Sequence, residues 1–189
     1  MKTLKMAIAI SIAIIWVGDL HAENKLGTTF GFSVYGGDYW WDAYTWSAGY
    51  TAIFFNNRVL VSSNIGLNVR ATASRGWSDG IGPYISGGIK FIVINTKYLK
   101  SYLGSSVSFM KSKVYDTSDP LNYMDIKSLL VDLDLGVRIH FIDAFGLDLG
   151  VGTHFVSETN SGELYGEPFY DETLGFVGYH FKVNLFHIF

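Results

Sequence analysis

Residues 177–189 read Val-Gly-Tyr-His-Phe-Lys-Val-Asn-Leu-Phe-His-Ile-Phe. Taking every second position gives Val177, Tyr179, Phe181, Val183, Leu185, His187 and Phe189. Between them lie Gly178, His180, Lys182, Asn184, Phe186 and Ile188. Up to Asn184 one set is apolar or aromatic and the other is polar or glycine. That is the period-2 signature of a strand whose two faces meet different surroundings.

The same alternation recurs at 26–35, 45–55, 58–70, 81–93, 98–110, 128–141 and 145–157. It is clearest in 128–141, where Leu129, Val131, Leu133, Leu135, Val137, Ile139 and Phe141 share a face. No stretch after the N-terminal segment sustains an apolar helical face. With 21 glycines, 3 prolines and 16% aromatic residues, the composition is that of an all-β chain. The connections fall into two classes. Short turns are expected at Asn56-Asn57, around Asn95-Thr96 and around Asp143-Ala144; long polar loops are expected at 36–44, 71–80, 111–127 and 158–172. Strict alternation of short and long points to an up-and-down antiparallel barrel of eight strands, with turns at one end and loops at the other.

Alternation alone does not say which face is inside. A soluble barrel turns its apolar face inward, a membrane barrel outward. The segments run mostly 10 to 14 residues, whereas soluble strands average about 5–6 and a tilted membrane strand needs about 9–11. Aromatics gather at both strand ends: Tyr39, Trp40, Trp41, Tyr44 and Trp46 on the loop side, Phe54, Phe91, Phe141, Phe145 and Phe189 on the turn side. Such groups match the interfacial girdles of membrane barrels. The polar face carries Arg58, Arg70, Lys90, Lys100, Asp132, Asp134, Arg138, Asp148 and Lys182, with Asn64, Asn68, His140, His154 and His180. The expectation is therefore a transmembrane barrel with a polar lumen.

The N-terminal segment fits this destination. Lys2 and Lys5 precede an apolar run from Met6 to Val17, and small-residue processing is expected after Ala22. Residues 1–22 read as a secretory signal peptide and 23–189 as the barrel. The run is too short for a membrane helix of about 20 residues. Removing the peptide takes two lysines and one aspartate from a chain of formal charge −3, leaving −4. No basic surplus exists for nucleic acid. The absence of cysteine excludes disulfides, thiolate metal sites and a lipidated N-terminal cysteine.

If 128–141 and 145–157 pair symmetrically about Asp143, facing positions sum to 286. Arg138 then opposes Asp148, and Asp132 opposes His154, with Asp134 in diagonal reach. A narrow barrel of this size has an interior that side chains fill. The lumen is expected to be a salt-bridged, hydrated plug. A proton or ion path through Asp132, His154 and His180 is the functional alternative.

No strong catalytic motif appears, and no cofactor is implied. His154, Ser157 and Glu158 resemble the His, Ser and acid of outer-membrane lipid A deacylases. Their spacing sends His154 to the lumen and Ser157 to lipid unless the strand bulges. The four expected loops hold eleven acidic residues against Arg75, Lys111, Lys113 and Lys127. Next to lipopolysaccharide such carboxylates can be bridged by divalent cations, and the loop aromatics can serve an extracellular ligand.

In strand count, loop asymmetry and terminal aromatic strand the chain resembles the small eight-stranded bacterial outer-membrane barrels: OmpX, the OmpA transmembrane domain and the opacity proteins. The resemblance implies a Gram-negative outer-membrane location, contact with membrane lipid and lipopolysaccharide, and handling by the barrel-assembly machinery, for which Phe189 is the expected signal. It implies a porin-like or surface role without enzymatic activity. The alternatives are a lipid A modifying enzyme and a narrow channel. Unlike OmpA, the chain as given carries no peptidoglycan-binding domain after the barrel.

Overall fold

In hydrocarbon a strand edge finds no water to bond, so a sheet of such segments has to close on itself. The computed structural model, which describes residues 25–37, 42–55, 57–71 and 76–189, is a closed antiparallel barrel. Its strands are β1 (Lys25–Gly37), β2 (Asp42–Phe54), β3 (Val59–Ala71), β4 (Gly80–Asn95), β5 (Leu99–Tyr115), β6 (Tyr123–Ile142), β7 (Phe145–Leu164) and β8 (Glu167–Ile188). Each pairs with its sequence neighbours, and β1 pairs with β8 from Gly27↔Ile188 to Gly37↔Gly178. The expected signal peptide at 1–22, and Tyr39, Trp40, Trp41, Asn56 and Arg75, lie outside the described residues.

Burial is inverted relative to a soluble barrel. On β6, Leu133 and Leu135 are 52% and 58% exposed, whereas Asp132 is 0% and Arg138 3% exposed. The outward apolar run from Leu129 to Phe141 covers about 40 Å along the strand at about 3.4 Å per residue. Tilted by roughly 35–45°, it spans about 30 Å, the thickness of a bilayer core. Exposed Phe55, Phe91, Tyr98, Phe141, Phe145 and Phe189 ring the turn end. Toward the other end Phe32 packs between Tyr44 and Trp46, with centroids 6.4 and 5.3 Å away.

The turn end matches the short connections read from the sequence. Asn57 has φ 65°, and Arg58 N donates to Phe54 O at 3.1 Å. Arg58 belongs to this turn and not to the lumen: it is exposed, and its guanidinium reaches Val93 O at 3.3 Å. The loop end differs from expectation. Most of 111–127 and 158–172 is strand, because β5 to β8 run 17, 20, 20 and 22 residues against 13 for each of β1 to β3. The β7–β8 connection is only Tyr165-Gly166, with φ 54° and 78°, the pair of positive values that a two-residue hairpin turn requires. In the β5 and β6 extensions the pattern reverses, with Lys111, Lys113 and Lys127 exposed and Val114 and Ile126 buried inside, while most of 158–172 is exposed or half-buried. The outward apolar face that would reveal them in the sequence is therefore missing.

Two clusters of buried, mainly apolar residues lie inside the barrel. Toward the loop end Tyr35, Ala43, Tyr84, Met110, Leu130 and Val156 form one buried cluster. Toward the turn end Ile53, Leu60, Ile92 and Tyr102 form another, with Ile188 against it. The charged residues lie mainly between them.

Candidate functional site in the lumen and at the outer rim

The hairpin register sets Arg138 opposite Asp148 and Asp132 opposite His154. Arg138 clasps Asp148 with Nε at 2.7 Å and a terminal nitrogen at 2.8 Å, the bidentate geometry that a planar guanidinium favours. Lys90 adds a third contact to Asp148 at 3.1 Å. All of these lie in the lower half of the charged layer, near Tyr102.

The upper half is built around β6 and β8. Lys182 Nζ lies 2.7 Å from Asp132 Oδ2 and 3.2 Å from Asp134 Oδ1. Asp132 Oδ2 also accepts from Ser106 Oγ at 2.9 Å and from the Tyr35 hydroxyl at 3.4 Å. Asp134 accepts a hydrogen bond from His180 Nε2. The rings of His154 and His180 stack at 5.9 Å, and Tyr35 packs against both at 5.5 and 5.6 Å. Asp134 thus turns to β8, away from the Arg138–Asp148 pair. Asp132, His154 and His180 each bring a ligating atom to within 4.8 Å of the others, the one such group among the described residues.

Near the loop end, by the upper apolar cluster, Arg70 on β3 meets Glu158 on β7 at 3.0 Å, and both bond the Ser128 hydroxyl. This pairing engages the Glu158 carboxylate with Arg70 and Ser128. His154 and Glu158 are buried in the lumen, and Ser157 stays on the opposite face. The ladder irregularity near Ser157 comes from Gly175 on β8, at φ 94°, so β7 keeps its alternation. The three residues are therefore not brought together. A lipid-facing groove of about 590 Å³ does exist, but it is walled by Val93, Leu103, Leu135, Val137, Val151 and Phe181 and does not reach Ser157. Inside the lumen a cavity of about 50 Å³ is lined by hydroxyls such as Thr29, Ser33, Ser47 and Thr51 and by the Lys90, Asp148 and Lys182 side chains. At roughly 10–15 Å³ per water it holds a few water molecules.

The outer rim is ordered by hydrogen bonds between loops. Ser78 N donates to Tyr115 O at 2.7 Å, Thr117 N to Gly76 O at 2.9 Å, and Tyr165 N to the buried Asn122 side chain at 2.7 Å. Asp116 accepts from the Ser118 hydroxyl at 2.6 Å and the Ser118 N–H at 2.8 Å, which hold its carboxyl below the usual value. Leu121, Tyr165 and Tyr170 project from this rim at 82%, 86% and 66% exposure.

No protein-family model matches the chain, and no curated protein sequence does. Solved structures do. A major outer membrane protein from Thermus thermophilus superposes with TM-score 0.59 at 14% identity, over 89% of this chain and 100% of that one. Neisserial surface protein A gives 0.56 at 12% identity, over 89% and 98%. The outer membrane protein AlkL, determined in lipid bilayers, gives 0.56 at 14%, over 88% and 90%. At these identities the likeness is one of fold, and it joins the inverted burial on the same conclusion. In architecture the chain is a small eight-stranded antiparallel β-barrel with an apolar outer face, the fold of these outer-membrane proteins.

Proposed function

We propose that this protein is a non-enzymatic outer-membrane barrel whose role is carried at its outer surface, with a lumen that serves as a structural plug. The observation that supports this reading is the pair of buried, mainly apolar clusters toward the two ends of the lumen, with ion-paired charges between them. An apolar cluster gives a passing ion no substitute for its hydration shell, and the fixed ion pairs offer no free path. The surface beyond the membrane, in contrast, is extended. The β5–β8 strands raise exposed Tyr115, Leu121, Tyr165 and Tyr170 among carboxylates such as Glu163, Glu167 and Asp171. Rigid aromatics among acids suit a basic ligand, or lipopolysaccharide phosphate bridged through divalent cations. Assembly through the barrel machinery, with Phe189 as its signal, belongs to the same proposal.

Planar-bilayer recording from the purified protein is expected to show no steady conductance. Mass spectra of lipid A from cells with and without the gene are expected to show identical acylation. Steady conductance would sink the plug, and altered acylation would sink the non-enzymatic reading.

A further inference from the structure

Within the lumen we infer a binding site for one divalent transition-metal ion, formed by Asp132 of β6, His154 of β7 and His180 of β8. Three adjacent strands supply it. Asp132 pairs with His154, and His154 stands opposite Gly178 while His180 stands opposite Gly152. Each imidazole lies over the glycine facing it, in space that a Cβ at Gly178 or Gly152 would invade. All three ligand residues are at most 2% exposed.

The hydrogen bonds of the cluster leave a ligand's share unfilled. His180 Nε2 bonds the Asp134 carboxylate, which accepts, so the proton sits on Nε2 and the lone pair on Nδ1. Nδ1 is buried and has no hydrogen-bond partner. Asp132 shows the same split. Its Oδ2 takes Lys182, Ser106 and Tyr35, and its buried Oδ1 takes nothing. A buried acceptor without a donor is destabilising. A cation removes that cost for both atoms at once.

The surroundings are those of a metal site. A ligating histidine characteristically donates its other N–H to a carboxylate, which fixes the tautomer and orients the ring. Asp134 does this for His180. Asp132, Asp134 and Lys182 together carry one net negative charge, which favours a cation between them. Two imidazoles and one carboxylate select the borderline ions, zinc(II), cobalt(II), nickel(II) or iron(II), over calcium or magnesium, which take oxygen ligands. Bonds of about 2.0–2.2 Å place two ligands of one ion at most about 4.4 Å apart. One ligating atom from each of the three residues lies within 4.8 Å of those of the other two, and side-chain rotation brings them toward that range. The three ligand residues are almost fully buried, so loading is expected during folding.

The test refolds the untagged protein in detergent with zinc(II), removes loose metal by gel filtration, and measures metal content and zinc K-edge X-ray absorption. One zinc per barrel is expected, with a nitrogen and oxygen shell that includes imidazole scattering. His154→Ala and His180→Ala are each expected to lower retention more than tenfold, and Asp134→Asn about 10–100-fold. His140→Ala, a lumen histidine outside the cluster, is expected to retain it. Absence of stoichiometric metal in the wild type after refolding with zinc, cobalt or nickel overturns the site. So does retention by the folded His154→Ala/His180→Ala double variant. Should those variants fail to fold, the wild-type absorption spectrum decides: a shell without imidazole refutes the assignment.

Discussion

Arg70 on β3 and Glu158 on β7 meet at 3.0 Å across the full width of the lumen, 88 positions apart in the chain. Both are buried, and Ser128 completes the group with a 2.6 Å bond from Arg70. Removing one partner of a buried pair strands the other charge, at about 3–5 kcal/mol, whereas replacing both by apolar residues of similar size is often neutral. Glu158→Ala is therefore expected to lose roughly that much in urea unfolding from lipid vesicles, and Arg70→Met/Glu158→Leu to recover most of it. A double variant no more stable than the single one contradicts this account.

Tyr102 of β5 lies across the facing pair Gly136 and Gly150. A methyl at Gly136 meets both the Tyr102 ring and the Leu149 carbonyl, which belongs to the backbone and cannot swing away. At Gly150 the nearest atom is the Tyr102 hydroxyl, 2.8 Å off, at the end of a side chain that rotates. Gly136→Ala is expected to cost about 1–3 kcal/mol by overpacking, and Gly150→Ala less. Comparing their unfolding midpoints checks the order.

The Asp116 turn at the rim responds to acid. Its carboxyl is held below the usual value by Ser118, so its contribution is present above the ordinary carboxylate pKa of about 3.9 and is lost as pH falls through the lower folded value. Amide exchange at Ser118 is expected to quicken at that acid step. Asp116→Asn should exchange at a rate that lacks the step, while the barrel strands stay protected throughout.

Phe189 bonds through its N–H to Leu26 O at 2.9 Å and stands exposed on the lipid-facing side, its ring 5.8 Å from His187. It thus secures the β1–β8 seam at the turn-end girdle. Phe189→Ala is expected to reduce the heat-modifiable barrel in the outer-membrane fraction severalfold. Wild-type levels of that form would remove the assembly role.

The period-2 pattern of residues 177–189 and its seven counterparts determined the strands, their lipid and lumen faces and the short turns, because each is set by neighbours in the chain. Even the Arg138–Asp148 pair was legible, since a tight turn at Asp143-Ala144 dictates the register of its own hairpin. The strand extensions at 111–127 and 158–172 were not, because there the outward face turns polar and residues such as Val114 and Ile126 face inward, which breaks the apolar-out pattern of the membrane strands. Nor was the partner of Glu158, which reads as one more loop acid. Only the closed barrel decided Arg70–Glu158, Lys182–Asp132 and the convergence of His180 on Asp132 and His154. The reason is physical: contacts across a lumen depend on how far each strand is staggered when the sheet closes, and that stagger is a property of all eight strands together.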